Sequence, residues 1–401
     1  MFSYKNFKKK YDFTPVALVF GADWVNGLAL IRGLGEQGVI VYALSSNPKA
    51  IGFHSKYVKN CIVHPNPSIN LDSFLNFMSE LGIKLKKRGE KGVLFPTGDL
   101  MVKIFSEREE ELNNYFIFTF PTEKITANLL NKKIQYKKAI QNHIPLPKTY
   151  FENDLNLLNN DLKAKKTDFP LLLKACYSYS SIAREKYRAL LITDEYQLVQ
   201  IISQAKKDYV PFMIQEVIPG KDDTLYTFGS YMSKNGILKA IFTGRKLRQK
   251  PPGFGICRVG ESIYVPKIID YGYSLLKSLN FFGISQVEFK YDYRDHDFKL
   301  IEVNPRSWSW IGLPIKMGIN IPYIAFCDVL GIDTKPKYMS RKKYLWMCIE
   351  DDIRYSLRLR DGIPLKHLFL KKKGFYEAYF SLKDLLPGLF HLRELFNFYF
   401  I

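Results

Sequence analysis

In the first hundred positions apolar residues come as short solid runs, each ended by a glycine or a polar turn. Val16–Phe20 predicts a strand buried on both faces and stopped at Gly21. Leu28, Ile31 and Leu34 then recur at helical spacing, and Gly38 opens a second strand over Val39–Leu44. A third strand, Val93–Phe95, runs into Pro96-Thr97-Gly98-Asp99. Alternating strands and helices predict a doubly wound layer, in which ligands collect at the carboxyl ends of strands, so Ser45, Thr97 and Asp99 are candidate pocket residues. The loop Gly21–Gly27 does not carry GxGxxG, and this layer is expected to be structural or substrate-binding rather than a dinucleotide site.

A helix is predicted over Thr126–Gln141, and Pro145 and Pro147 then forbid helix and lead the chain, extended, into a new unit. Asn153–Thr167 reads as a polar linker or helix, Phe169–Cys176 as a strand, Thr193–Lys206 as a helix and Phe212–Val217 as a strand broken by Pro219-Gly220. Strict alternation in Ile284–Tyr291 and Phe298–Val303, around the polar turn Tyr293–Asp297, is a hairpin signature. With the turn centred on Asp295, Glu288 lies across from Glu302 and Gln286 from Asn304. Facing like charges repel. The pairing makes sense with a divalent cation between them, held by carboxylate, amide and phosphate oxygens; a solvated polar face is the plainer alternative. After about Gly331 the chain turns basic and aromatic, with charge over Lys366–Lys373 and Phe, Leu and Tyr over Leu389–Ile401. Helices are expected there, packed back on the body or, alternatively, lying on a membrane surface.

A chain of 401 residues predicts two to three domains, and 47% hydrophobic with 24% charged residues marks it as globular. Lys and Arg number 59 against 39 Asp and Glu, leaving +20, so an anionic partner is expected. The lysines are scattered and form no recognised nucleic-acid module, so that partner is not expected to be nucleic acid. Cys61, Cys176, Cys257, Cys327 and Cys348 lie far apart without a CxxC, and Cys61 with His64 lacks the second pair a zinc site needs. A reduced, cytoplasmic compartment is expected. Lys5–Lys10 before Val16–Phe20 faintly suggests a signal peptide, which Asp23 and the strand–turn–helix pattern oppose. No uncharged apolar run reaches membrane-spanning length, so the protein is expected to be soluble or at most peripheral at the inner membrane face.

Lys174 ends the apolar run Pro170–Leu173 above a polar turn, where a lysine can hold phosphates as a point charge. Gln215–Gly220 ends a strand in a Pro-Gly break, a hinge that offers backbone groups to adenine, with Asp222 or Asp223 in reach of a ribose. Arg245 shares no strand face with Lys246 or Arg248, so a three-residue phosphate clamp is not expected and Lys246 with Arg248 is left as a candidate pair. The six histidines form no convincing triad.

Taken in order, Asn131-Lys132, Ile144–Thr149, Pro170–Lys174, Gln215–Gly220, and Glu288 with Glu302-Val303-Asn304-Pro305-Arg306 resemble the ATP-grasp superfamily over about residues 16–331. Within it the chain looks most like carboxylate-amine ligases of the D-aspartate ligase and carbamoyl-phosphate-synthase-like type. The resemblance implies a mixed α/β and α+β fold: a Rossmann-like pre-ATP-grasp domain over 1–120, a two-lobed ATP-grasp domain over 121–330 (smaller lobe about 150–215, larger about 216–330) and a helical extension over 331–401. It implies that Lys132 and Lys174 touch ATP phosphates, Glu216, Val217 and Ile218 line the adenine pocket, Asp223 holds the ribose, and Glu288, Glu302 and Asn304 bind Mg2+, or Mn2+ in its place. Arg306 would stabilise the transferring phosphoryl group, with Lys246 beside it. The implied reaction is ATP-dependent activation of a carboxylate as an acylphosphate and its capture by an amine, both small molecules, in amino-acid-derivative or cell-surface polymer biosynthesis. Ser381–Pro387 adds a weak cue to the latter. The chain departs from the pattern in one place: the loop after Lys174 is usually glycine-rich, and residues 171–191 contain no glycine. That departure motivates the alternative of a non-catalytic nucleotide-binding or regulatory protein on the same scaffold. Trp308 and Trp310 are expected either to wall the acceptor pocket or to pack in the core.

Overall fold

The computed structural model describes residues 4, 11–121, 123–177, 179–359 and 374–400. The apolar runs of the first hundred residues form β1 (Thr14–Phe20), β2 (Val41–Ser45) and β4 (Glu90–Phe95) of a parallel sheet completed at its edges by β3 (Val58–Val63) and β5 (Phe116–Phe118), in the order β3-β2-β1-β4-β5. The order reverses between β1 and β4, so the crevice of a doubly wound sheet opens there. Helix Val25–Gly35 buries Leu28, Ile31 and Leu34 on one side of the sheet, and helix Leu71–Lys87 buries Phe74 and Met78 on the other. Strand β3 escaped the sequence reading because it is an edge strand of alternating partial exposure rather than a solid apolar run.

The single helix expected over Thr126–Gln141 is two, Glu123–Leu130 and Lys132–Gln141. Asn131 separates them, its extended backbone and its side-chain oxygen, which accepts from Lys133 N, forming a new N-cap. A four-stranded antiparallel sheet follows, β6 (Thr149–Phe151), β7 (Leu171–Ala175), β8 (Leu190–Ile192) and β9 (Phe212–Glu216), ordered β6-β9-β7-β8. Asn153–Thr167 resolves as helix Leu155–Lys163.

The third sheet is built on β10 (Leu225–Met232), β11 (Leu238–Lys250), β12 (Ile256–Ser262), β13 (Gly283–Asp292) and β14 (Asp297–Asn304). The C-terminal segment carries helices Ile349–Leu359 and Leu386–Phe400, and it also adds β15 (Lys337–Tyr338), β16 (Leu345–Met347) and β17 (Phe375–Glu377) to this sheet, whose main path runs β14-β13-β10-β11-β12-β16-β17. These strands are too short to leave a periodic signal. Lys366–Lys373 lies outside the described residues.

The last helix packs back on the body: Phe390 stacks on His54 at 3.8 Å between ring centres, and His391 reaches Glu350 at 3.0 Å. Just before it, buried Asp384 accepts from Arg32 Nε at 2.9 Å, Ser55 Oγ at 2.8 Å and Lys56 N at 2.9 Å, tying the tail to the layers around the first sheet. Leu382, Leu385, Leu386, Leu389 and Leu392 stay exposed. Among the described residues no helix is long and apolar enough to cross a membrane.

Candidate active site

In the β13–β14 hairpin Glu288 pairs with Glu302 and Gln286 with Asn304. Asp292 pairs with Asp297, so the turn itself is centred between Arg294 and Asp295; a bulge between Glu288 and Phe289 leaves Ile301 unpaired and shifts the register by one residue. The bulged backbone is held by helix Lys132–Gln141. Tyr136 Oη donates to Ile301 O at 2.9 Å, and Gln135 both accepts from Val303 N at 2.9 Å and donates to Val303 O at 3.0 Å. These bonds dock the start of the helix on β14, and Lys132 Nζ lies 3.9 Å from Glu302 Oε2.

The two glutamates sit in different fields. Burial raises the Glu288 carboxyl, the charge of Glu302 adds to this, and Lys246 Nζ at 2.8 Å opposes it. Burial also acts to raise Glu302, but Lys132, the Asn304 amide at 3.0 Å, Arg188 and Lys174 outweigh it and hold this carboxyl below its usual range. Lys174, near the end of β7, donates to Gln215 Oε1 at 3.0 Å, and burial, with Lys132 and Lys290 nearby, pushes its ammonium down to about 8.

A cavity of about 100 Å³ is lined by Lys132, Lys174, Lys246, Glu288 and Glu302 together with Glu216, Val217 and Ile218. The Glu216 carboxylate is already engaged, accepting from Lys148 N at 2.8 Å and from Arg294 at 3.0 Å. What the hinge offers this cavity is therefore chiefly its backbone. A second cavity of about 670 Å³ opens at the carboxyl ends of β1, β2 and β4, where Asp23, Ser45, Thr97 and Asp99 line it with Glu302, Asn304 and Arg306. Arg306 Nε lies 2.6 Å from Asp99 Oδ1, and Asn26 Nδ2 bridges Thr97 O and Ser307 Oγ, both at 3.1 Å. Burial works against the Arg306 charge, but Asp99, with Glu302 and Glu288, keeps its guanidinium protonated.

Some expected residues lie elsewhere. Asp223 is exposed and lines neither cavity, while its neighbour Asp222 accepts from Gln249 N, Gln249 Nε2 and Gly253 N at 2.7–2.9 Å. Arg248 does not join Lys246, because bulges on both sides of it turn the side chain to Ser356 Oγ at 2.8 Å and Asp352 at 3.5 Å. Trp308 and Trp310 are core: the space over Gly229 is filled by Trp308 and that over Gly244 and Gly260 by Trp310, which leaves Ser309 to line the larger cavity.

No model of a known protein family matches the chain. It is 27% identical to a D-aspartate ligase from Enterococcus faecium over 395 residues, covering 93% of this chain and 91% of that protein. Its fold is similar to the biotin carboxylase domain of the Hydrogenobacter thermophilus 2-oxoglutarate carboxylase, solved with magnesium and ADP (TM-score 0.63, 15% identity, 84% of this chain and 74% of that one). It is also similar to the N5-carboxyaminoimidazole synthetase of Staphylococcus aureus (TM-score 0.64, 11% identity, 88% of each chain). These likenesses show a mixed α/β fold of the ATP-grasp type. A third likeness within that fold is to the L-amino acid ligase of Bacillus licheniformis (TM-score 0.59, 15% identity, 80% of this chain and 75% of that one).

The site also holds residues to which the sequence reading gave no role there. Lys290 lines the smaller cavity and donates to Gly220 O at 3.2 Å, and Gln286 Nε2 donates to Glu288 at 3.0 Å. Strand alternation could have found both, since Gln286, Glu288 and Lys290 share one face of β13. Arg188 lines both cavities and follows a short helix, Ser181–Glu185, inside the glycine-free segment; no spacing or periodicity marks it. Among the described residues, Cys348, Glu350 and Asp351 stand close enough to share an ion, but Lys250, Arg354 and His391 already engage the two carboxylates.

Proposed function

We propose that this ATP-grasp protein is an ATP-dependent ligase that activates a carboxylate as an acylphosphate and joins it to an amine. The observation that carries the reading is the facing pair Glu288 and Glu302, with Lys132 and Lys246 at their carboxylates and Lys174 in the same cavity, directly beside the larger one where Arg306 waits. Glu288, Glu302 and the Asn304 amide oxygen are hard oxygen donors on adjacent strands, the set that suits Mg2+ and accepts Mn2+. When bound there, the metal neutralises charge between phosphate oxygens.

The backbone of Glu216–Ile218 holds adenine and Lys132 and Lys174 hold phosphates. The γ-phosphoryl group passes to a carboxylate oxygen of the acid and ADP leaves. An amine then attacks the acyl carbon, phosphate departs and the nitrogen loses a proton. Lys246 and Arg306 stabilise the charge that develops at the transferring group, so catalysis is positioning and electrostatics, without a covalent nucleophile from the protein. The D-aspartate ligase likeness makes an amino acid, D-aspartate first, the acid to test. The exposed leucines before and along the last helix, beside Lys56, Lys383 and Arg393, support contact with an anionic membrane face.

Purified protein with MgATP and a panel of acids and amines should release ADP and phosphate when both partners are present, and Glu302→Gln should abolish the release. ATP binding without turnover across a broad panel would favour the non-catalytic reading instead.

A further inference from the structure

We propose that Arg188 grips the transferring phosphoryl group and takes over the work of the glycine-rich loop this chain lacks. The inference rests on the ligase reading above. Glycine-rich loops hold phosphates through backbone N–H groups in conformations that favour glycine, and residues 171–191 have none to offer. In their place the chain builds the helix Ser181–Glu185, capped by Ser180 Oγ, which accepts from Ala183 N at 3.1 Å. Tyr187 then fixes the backbone: its ring is buried, its hydroxyl donates to Asp208 at 2.7 Å and its carbonyl accepts from Ala175 N at 2.8 Å. Arg188 follows this anchor and leads into β8, beside the end of β7 that carries Lys174, and its side chain reaches both cavities.

Partnership sets it apart from the other cavity cations. Lys132 lies against Glu302, Lys174 donates to Gln215, Lys246 to Glu288, Lys290 to Gly220 O, and Arg306 to Asp99. Among the described residues Arg188 has neither an ion pair nor a hydrogen bond, although its charge reaches Glu288 and Glu302. A guanidinium with open donors, between the cavity that holds the nucleotide hinge and the one that holds Arg306, fits an anion presenting two oxygens at once. A phosphoryl group does so.

Arg188→Ala and Arg188→Lys, compared with the wild type, test this by steady-state kinetics and by equilibrium binding of MgADP and of a β,γ-methylene ATP analogue. In Arg188→Ala kcat should fall about a hundredfold. Affinity for the analogue should fall about tenfold while ADP affinity stays within about threefold, because the contact is to the terminal phosphoryl group. Lysine should restore little, since it cannot span two oxygens, and added guanidinium should restore part of the alanine variant's rate. Wild-type kcat in Arg188→Ala, or equal loss of ADP and analogue affinity with a lowered melting temperature, would overturn the assignment alone. A wild-type protein that binds neither nucleotide would overturn the ligase reading and this inference with it.

Discussion

Glu288 and Glu302 face each other across one hairpin, yet each carboxylate is held by a different lysine, Lys246 at 2.8 Å and Lys132 at 3.9 Å. Burial leaves the Glu288 carboxyl raised, with Lys246 the main force against it, while Glu302 is held low by Lys132, Asn304, Arg188 and Lys174. Glu302 therefore stays ionised across the working range, and Glu288 is the one whose charge depends on its lysine. Replacing Lys246 with Met leaves burial and Glu302 acting together on Glu288 and raises it further. The acid limb of the kcat/KM profile should move to higher pH, and the rate at neutral pH should drop about a hundredfold. An acid limb that stays in place would show that Lys246 does not tune Glu288.

The hairpin register was legible because strand periodicity is two and an unneutralised pair of facing glutamates is improbable. The bulge that sustains it was not, since its causes, Gln135 and Tyr136, lie more than 160 residues away in sequence. Distance explains the other misses as well. Whether Asp222 or Asp223 turns inward is decided by Gln249 and Gly253. The burial of Trp308 and Trp310 depends on glycines placed opposite them on β10, β11 and β12. Arg188 gave no signal because one arginine in a polar segment has no period. The first sheet, whose inner strands β2, β1 and β4 carry solid apolar runs, was the part most readable from local pattern.

With Lys174 at the nucleotide phosphates, as proposed, nucleotide binding should depend on pH. Burial pushes its ammonium down to about 8, and bound phosphates favour the charged form, so binding above that pH should draw a proton onto the lysine. Calorimetric titration in buffers of different ionisation enthalpy should show proton uptake that grows as pH rises through about 8, and Lys174→Arg should lack it. The same shift bears on stability. A lysine lowered from about 10.5 to about 8 binds fewer protons folded than unfolded between those values, so folding gains as pH rises through that window and the burial penalty, roughly 3 kcal/mol, is felt in full below it. Lys174→Met should accordingly unfold at higher denaturant concentration at pH 7 even as it loses ATP.

The buried pair Arg32 and Asp384 joins helix Val25–Gly35 to the tail across the sequence. Asp384→Ala leaves the guanidinium without its carboxylate and also strips Ser55 Oγ and Lys56 N of their acceptor. A loss of about 3–5 kcal/mol is expected, since removing one partner of a buried ion pair leaves an uncompensated charge. Urea denaturation should show it, and limited proteolysis should cut the last helix first. The double change Arg32→Met with Asp384→Leu should lose much less than Asp384→Ala alone; an equal loss would mean that packing, rather than charge, governs the junction.

Leu385, Leu386, Leu389 and Leu392 are exposed at and along the start of the last helix, and Leu382 before them is 95% exposed. Lys383 and Arg393 stand exposed in the same stretch, and Lys56 is exposed where its backbone meets Asp384. An apolar ridge flanked by cations suits a bilayer carrying acidic headgroups, which takes the leucines into its interface and the lysines and arginine at its surface. The protein should sediment with vesicles containing phosphatidylglycerol, less with pure phosphatidylcholine, and less again at high salt. Because these leucines are solvent-exposed, Leu386→Ser with Leu389→Ser should leave the melting temperature nearly unchanged and weaken vesicle binding about tenfold or more. Concentration-dependent dimerisation lost in the same variant, without vesicle binding by the wild type, would assign the ridge to a second copy of the chain.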